Sequence, residues 1–219
     1  MPPISFKDLI LKETPQYLVI NKPAGLIVEK NPYESPTIEE MALTYLQASK
    51  PNAYLGIVHR LDRVTSGVLL LAKKKSALKN FNEQFRLRKV RKTYLALVEN
   101  APQKTKASLT HWLQKDLKNK KAIISSSPAK NASECKLRYR LLKTTAMGYL
   151  LEIQPHTGKF HQIRAQLSAI GCPIVGDQKY GGSGDFGLNA VALHASKLQF
   201  RDTISGELQI VEAIVDWGI

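Results

Sequence analysis

The residues best suited to chemistry lie in one mostly polar stretch, HRLDRVTSG at positions 59–67. It places a carboxylate, Asp62, between Arg60 and Arg63 and close to His59. Nearby cations favour the ionised form of a carboxyl group, so Asp62 is expected to be negatively charged at neutral pH. Such a group can act as a nucleophile, a base or a metal ligand, but arginine–aspartate pairs commonly do no more than fix a loop. Taken alone, the stretch favours the structural interpretation.

Two short apolar runs, at positions 54–58 and 68–71, flank this stretch. Each has the length and the bounding turn residues of a buried strand. A loop held between two core strands keeps its side chains in fixed positions while leaving them open to a ligand. The sequence therefore predicts that Asp62 lies on a rigid, accessible loop.

A second informative stretch is PHTGKFHQIRAQL at positions 155–167. It follows a predicted strand, and Thr157 and Gly158 are expected to begin a helix. Three polar residues at helical spacing share one face of it: His161, Arg164 and Ser168. Near a helix N-terminus these side chains favour an anion, and the candidate partners are a phosphate or the carboxylate of Asp62.

The remaining pattern predicts strands and helices throughout the chain. Tyr94 lies in a predicted strand at 93–98, where periodicity alone makes it a core residue. The other predicted elements are a strand at 17–20, a helix beginning at Ser35–Pro36, a helix after Lys75, a hairpin at 108–125, strands at 133–143 and 149–154, and a closing hairpin from Leu193. No repeat or linker is found, so one domain over residues 1–219 is predicted, with a soft boundary at 128–132.

The net charge of the chain limits the kinds of binding partner that are expected. Its 219 residues carry a net charge of +14, which favours a polyanion, with nucleic acid first and an anionic membrane surface second. The two cysteines, Cys135 and Cys172, form no metal or disulfide pattern and are predicted to be buried thiols. The first residues lack the basic-then-apolar order of a signal peptide, so none is expected, and no apolar run reaches the ~20 residues that a membrane span needs. The sequence predicts a soluble, cytoplasmic protein.

Several common signatures are absent or discounted. The run GSGDFG at positions 182–187 matches GxGxxG, but no predicted strand leads into it and no crossover helix follows. A glycine-rich surface loop is the better interpretation. The phosphate-binding GKS/T loop, the HExxH zinc motif and the GxSxG hydrolase motif do not occur.

Six motifs, in order along the chain, resemble the RluA family of RNA pseudouridine synthases. They are YLVINKPAG at 17–25, HRLDRVTSG at 59–67, KTYLALV at 92–98, HTGKFHQIR at 156–164, GCPIVGD at 171–177 and LHA at 193–195. The resemblance covers nearly the whole chain. It implies an α+β fold: a single catalytic domain with a mixed, mostly antiparallel sheet flanked by helices, and a basic active-site cleft.

The resemblance also implies an activity, the isomerisation of uridine to pseudouridine in tRNA or rRNA without metal or organic cofactor. It assigns Asp62 as the nucleophile, Arg164 as the residue that orients it, and Tyr94 as the residue that packs on the target base. Arg60 is expected to enter the RNA stack when the target nucleotide is flipped out. The further substrate-binding residues expected in the same motifs are His59, Arg63, Thr65, Lys159 and His161.

Some features concern substrate choice. From this resemblance we expect the chain to lack the small extra N-terminal RNA-binding domain that many relatives carry, and nothing in the sequence requires more than a monomer. The alternative function is a non-catalytic RNA-binding protein or RNA chaperone on the same fold. The combined presence of Asp62, Tyr94 and Arg164 counts against that alternative.

Overall fold

The computed structural model describes residues 4–184, 186–215 and 217–218. The helices are α1 (Ile38–Gln47), α2 (Lys75–Arg86) and α3 (Gln162–Ala169). The strands are β1 (Ile10–Glu13), β2 (Tyr17–Lys22), β3 (Gly56–Ile57), β4 (Ser66–Ala72), β5 (Arg91–Val98), β6 (Lys106–Asp116), β7 (Lys121–Ser125), β8 (Ser133–Thr145), β9 (Gly148–Pro155), β10 (Leu193–Arg201) and β11 (Leu208–Glu212). Short 3-10 turns span Phe6–Leu9 and Gln178–Tyr180.

The chain folds into two compact units. The first contains the residues up to Lys92 together with Ala195–Val215, and the second contains Thr93–His194. The soft boundary predicted at 128–132 is wrong, because these residues lie between β7 and β8 inside the second unit. The assignment of residues 1–219 to one catalytic domain stays a prediction.

The first unit is built on β2 and β4, which pair antiparallel from Tyr17 opposite Ala72 to Lys22 opposite Gly67. Nearly every residue of both strands is buried, as the apolar runs predicted. β1 pairs with β2, and β10 pairs with β11, also antiparallel. The rings of Tyr17, Phe81 and Phe200 pack edge to face at 5.3–5.6 Å, which ties α2 and β10 to β2.

Helix α1 begins later than its sequence signals suggested. The predicted start at Ser35–Pro36 is wrong, because Thr37 caps the helix. The Thr37 hydroxyl accepts the N–H of Glu40 at 3.2 Å, and the Glu40 carboxylate accepts the N–H of Thr37 at 3.0 Å. This reciprocal capping box satisfies two otherwise unpaired donors at the helix start.

The second unit is an antiparallel sheet in the strand order β5-β9-β8-β6-β7. The predicted hairpin of β6 and β7 is confirmed, as are the strands at β8 and β9. A core cluster joins this sheet to α3 through Leu113, Ala122, Cys135, Ala165 and Tyr180. The α+β class with mostly antiparallel strands is thus confirmed.

Helix α3 also starts later than predicted, at Gln162 instead of Thr157. The side-chain oxygen of Gln162 accepts the N–H of Lys159 at 3.0 Å and the hydroxyl of Thr157 at 2.8 Å. His161 precedes the helix in the left-handed region, with φ of 50°. These contacts fold residues 157–161 into a turn, which excludes them from the helix.

Three smaller expectations can be compared with the described residues. Cys135 and Cys172 are free and buried, as predicted. The predicted glycine-rich loop is irregular at Gly182–Gly184 and at 186–187, while Asp185 lies outside the described residues. No helix in the described part of the chain is long and apolar enough to cross a membrane.

Candidate active site

The loop that carries Asp62 connects β3 to β4 in the first unit. Asp62 is half-buried, and its carbonyl oxygen accepts the N–H of Thr65 at 3.1 Å, which closes a tight turn. Thr65 is buried, with 2% of its surface exposed. The predicted loop between two strands is therefore confirmed, while its rigidity and a substrate contact by Thr65 stay predictions.

Gly67 fixes the exit of this loop into β4. Its φ of 112° lies in the region that favours glycine, and a Cβ there would collide with the main chain of Ala195. The backbone of β4 can approach Ala195 only because position 67 has no side chain. The glycine at the end of the motif thus has a packing role in holding the loop.

A buried lysine ties the loop to the segment that follows β2. Lys22 is fully buried, and its Nζ donates to the carbonyl oxygens of Pro23 at 2.8 Å, Leu26 at 2.8 Å and Arg63 at 3.2 Å. The N–H of Gly25 donates to the same Arg63 carbonyl at 2.9 Å. We call this arrangement the Lys22 clamp. All three donors of the ammonium group have an acceptor, as a buried charge requires.

The Lys22 clamp also affects the electrostatics of the site. Burial lowers the pKa of Lys22 to about 7, the Asp62 carboxylate opposes that shift, and the Arg63 guanidinium adds to it. The opposing effect is mutual, since a protonated Lys22 favours the ionised form of Asp62. Sequence analysis gave Lys22 no role, because a lysine that follows Asn21 in a predicted turn carries no local signal of burial.

His59 connects the loop to β4 and α2. Its Nε2 accepts the N–H of Leu70 at 3.1 Å, and its ring stacks on Phe85 with centroids 5.1 Å apart. Burial, followed by the nearby charge of Lys92, lowers the pKa of His59 to about 3. His59 is therefore a neutral anchor of the loop at physiological pH. Its predicted contact with substrate stays a prediction.

The two arginines of the loop both contact acidic residues of the 29–34 segment. Arg60 is exposed and pairs with Glu29 at 2.5 Å. Arg63 is partly exposed and forms a close ion pair with Glu34. Ion pairs at such exposure contribute roughly 0–1 kcal/mol, so another anion can replace either carboxylate at small cost. The predicted RNA contacts of both arginines stay predictions.

The second unit contains the other two predicted catalytic residues. Tyr94 lies on β5 opposite Ile153 and is 8% exposed. Arg164 lies on α3 and is 5% exposed. Its Nε and Nη2 donate to the two carboxylate oxygens of Asp177 at 2.7 and 2.8 Å. Asp177 is a partner that the sequence analysis missed, although it ends the GCPIVGD motif.

The predicted helix face is wrong for His161, which lies in the turn before α3, but His161, Arg164 and Ser168 all contact Tyr180. The Arg164 guanidinium lies 5.1 Å from the centre of the Tyr180 ring, and the Ser168 hydroxyl donates to the Tyr180 carbonyl at 2.6 Å. The Tyr180 hydroxyl accepts the N–H of Ala122 at 2.6 Å and lies 3.0 Å from His161 Nδ1. The Tyr180 hydroxyl and His161 Nδ1 thus share a hydrogen bond, whose donor is set by the tautomer of the histidine ring.

His161 is neutral at physiological pH because its pKa is lowered. Burial, with smaller effects from Arg164, Lys179 and Lys115, lowers the pKa of His161 to about 3. Its ring stacks on Phe160 with centroids 3.7 Å apart, and the neighbouring Lys159 is exposed. Contacts of His161 and Lys159 with substrate stay predictions. Across the described residues, no group of three or more His, Cys, Asp or Glu side chains is placed to hold a metal ion.

Comparison with known proteins relates the chain to one family. Residues 16–169 match the family described as RNA pseudouridylate synthase. The ribosomal large subunit pseudouridine synthase C of Escherichia coli K12 is 38% identical over 97% of this chain and 68% of its own length. The protein of the same name from Haemophilus influenzae is 34% identical over 97% of this chain and 66% of its own length.

Solved structures agree with this relation. Human RNA pseudouridylate synthase domain containing 4 matches with a TM-score of 0.80 and 25% identity, over 97% of this chain and 92% of that one. Human RNA pseudouridylate synthase domain containing 1 matches with a TM-score of 0.77 and 26% identity, over 98% and 86%. The chain belongs to the RNA pseudouridylate synthase family, and the resemblance to its RluA members is confirmed.

Proposed function

We propose that this protein isomerises specific uridines to pseudouridine in structured RNA, with Asp62 as the nucleophile. The observation that carries the proposal is the Asp62 loop itself: a half-buried carboxylate on a turn held by the Lys22 clamp. In the reaction the N1–C1′ bond of uridine breaks, a C5–C1′ bond forms, the C5 proton is released and N1 gains a proton. Product and substrate are isomers, so no oxidant or group donor is needed.

The roles proposed for the other site residues are those that the resemblance to the RluA family implies. Tyr94 is proposed to pack on the target base, and Arg164 to orient the catalytic carboxylate. The bidentate pair with Asp177 supports the second role, because it restricts the Arg164 guanidinium to one plane. Arg60, which is 66% exposed, is proposed to enter the RNA stack as the target nucleotide flips out. Unstacking a nucleotide costs a few kcal/mol, which inserted and stacking side chains offset.

The proposed substrate is tRNA or rRNA. Ribosomal RNA is favoured, because the bacterial relatives are named as ribosomal large subunit pseudouridine synthases. The net charge of +14 supports a polyanionic substrate gripped through its phosphates. We further propose that the protein acts in the cytoplasm as a monomer, without metal or organic cofactor.

Tritium release from 5-tritiated uridine in unmodified tRNA and rRNA tests the proposal. Wild type should release tritium. Asp62→Asn should release none yet bind RNA at least as well, because the substitution removes a negative charge. Asp8→Asn, the same change at an exposed aspartate of the first unit, should behave as wild type.

Two results would contradict the proposal. Full turnover by Asp62→Asn would exclude Asp62 as the nucleophile. RNA binding by wild type without tritium release from any tRNA or rRNA supplied would favour the non-catalytic RNA-binding alternative.

A further inference from the structure

We propose that a groove beside the Asp62 loop binds one unpaired nucleotide of the substrate RNA, with its base on Tyr33 and its phosphate on Arg63. The groove has a volume of about 470 Å³. Its lining includes Leu26, Ile27, Tyr33, Glu34, Pro36 and Arg63. We call it the Tyr33 groove. The inference rests on the proposed function, which supplies the RNA, and adds a second nucleotide site to it.

The Tyr33 side chain has no packing role that explains it. It is 90% exposed, and it is the only aromatic residue among the exposed large apolar side chains of the described chain. The turn that presents it is ordered: Asn31 pairs with Glu34, and the Asn31 side chain accepts the N–H of Tyr33 at 2.8 Å. A ring held in solvent on a fixed turn is suited to stacking on a base, which every nucleotide offers.

Arg63 gives the groove its charge complementarity. Arg63 is one of the lining residues, its guanidinium is paired with Glu34, and both side chains remain partly exposed. An RNA phosphate carries the same single negative charge as the carboxylate it replaces, and it can accept two parallel hydrogen bonds from the guanidinium. The groove thus offers both parts of a nucleotide a partner: the base an aromatic face, the phosphate a planar cation.

The Lys22 clamp sets the distance between the groove and Asp62. Lys22 Nζ binds the carbonyl oxygens of Leu26, in the groove wall, and Arg63, in the Asp62 loop. The adjacent residue Ile27 is fixed to α1, because its carbonyl oxygen accepts the N–H of Ile38 at 3.0 Å. A nucleotide in the groove would therefore lie at a constant offset from Asp62. Because the distance is constant, the groove would bind the nucleotide at one particular sequence position relative to the target uridine.

Steady-state kinetics of tritium release test the inference on the RNA that wild type modifies. Tyr33→Ala should raise KM about tenfold and change kcat less than twofold, because stacking is lost while the Asp62 loop is untouched. Tyr33→Phe should restore wild-type KM, since the ring is kept. Ile204→Ala, at a residue of the first unit that is 75% exposed, is the matched control and should leave both constants unchanged.

An abasic substitution in the RNA identifies the bound nucleotide. One position near the target should show the same tenfold rise in KM when its base is removed, and Tyr33→Ala should cause no further rise with that RNA. If Tyr33→Ala raised KM further with every abasic RNA, the inference would be overturned. It would also be overturned if Tyr33→Ala kept the KM and the melting temperature of wild type.

The inference can also be tested if no RNA releases tritium and the proposed function fails. Dissociation constants of the same RNAs for wild type and Tyr33→Ala are then compared by fluorescence anisotropy. A weaker complex with Tyr33→Ala and an unchanged one with Tyr33→Phe would support the groove without catalysis. Equal affinity of wild type and Tyr33→Ala would overturn it.

Discussion

The fully buried Lys22 makes the stability of the protein depend on pH near neutrality. Burial lowers the pKa of Lys22 from 10.5 to about 7. Between these values the unfolded chain binds the proton that the folded protein has released, so the free energy of unfolding rises with pH. At most, this single group raises the free energy of unfolding by about 1.4 kcal/mol per pH unit. Below a pH of about 7, Lys22 is protonated in both states, so its effect on stability no longer changes with pH.

Urea unfolding at pH 6.5, 7.5 and 8.5 measures this effect. Wild type should become more stable across the series. Lys22→Met should lose the rise and be less stable overall by roughly 1–3 kcal/mol for each carbonyl left without a donor. Lys79→Met, the same change at an exposed lysine of α2, should keep the rise. A wild-type stability that is flat from pH 6.5 to 8.5 would show that Lys22 has an ordinary affinity for its proton.

At the level of secondary-structure elements, α3 depends on a buried ion pair. Arg164 and Asp177 have 6% and 1% of their side chains exposed. Asp177→Asn would leave a buried guanidinium without its counter-charge, a change that costs about 3–5 kcal/mol. Because α3 and the Gln178–Tyr180 turn are joined through this pair, both should loosen together.

Thermal unfolding of Asp177→Asn should therefore show a large fall in melting temperature. Glu152→Gln is the matched control, since it breaks an ion pair of the same unit whose arginine, Arg140, is 61% exposed. That pair is worth about 1 kcal/mol or less, so its loss should shift the melting temperature only slightly. Similar melting temperatures for the two variants would indicate that the buried pair contributes nothing beyond a surface one.

The elements also show what the sequence could and could not predict. The strands on either side of Asp62 were predictable, because their apolar runs and bounding turn residues are local signals. The starts of α1 and α3 were misplaced, because the side chains of Glu40 and Gln162 bind backbone groups upstream and select a later first residue. Local propensity does not reveal which of several capping residues wins.

The contacts of the site are harder to predict, because they join residues distant in sequence. Lys22 reaches the carbonyl of Arg63, 41 residues away, and Arg164 reaches Asp177, 13 residues away. No periodicity links such pairs, and only the fold brings them together. Asp62 could be singled out from its neighbours along the chain, but the clamp that holds its loop could not.

On the scale of the whole molecule, the positive net charge and two neutral histidines both reduce the stability of the folded protein as the pH falls. Burial lowers the pKa of both His59 and His161 to about 3, against an ordinary value of 6.5. Between pH 6.5 and 3 these two imidazoles are protonated in the unfolded chain but not in the folded protein, so the free energy of unfolding falls as the pH is lowered. Two such histidines give a combined slope approaching about 3 kcal/mol per pH unit.

The net charge of +14 adds to this loss, because each carboxylate that becomes protonated increases the repulsion within a compact and already positive molecule. Urea unfolding at pH 7, 6, 5 and 4 should show stability falling more steeply with each step. His161→Asn should reduce the slope, whereas His156→Asn, at an exposed position of the same unit, should leave it unchanged.

NMR measures the protonation of the two histidines directly. The ring protons of His59 and His161 should keep the chemical shifts of neutral imidazole down to pH 5. Protonation of either ring near pH 6.5 in the folded protein would mean that its bond to Leu70 or Tyr180 does not hold the neutral form.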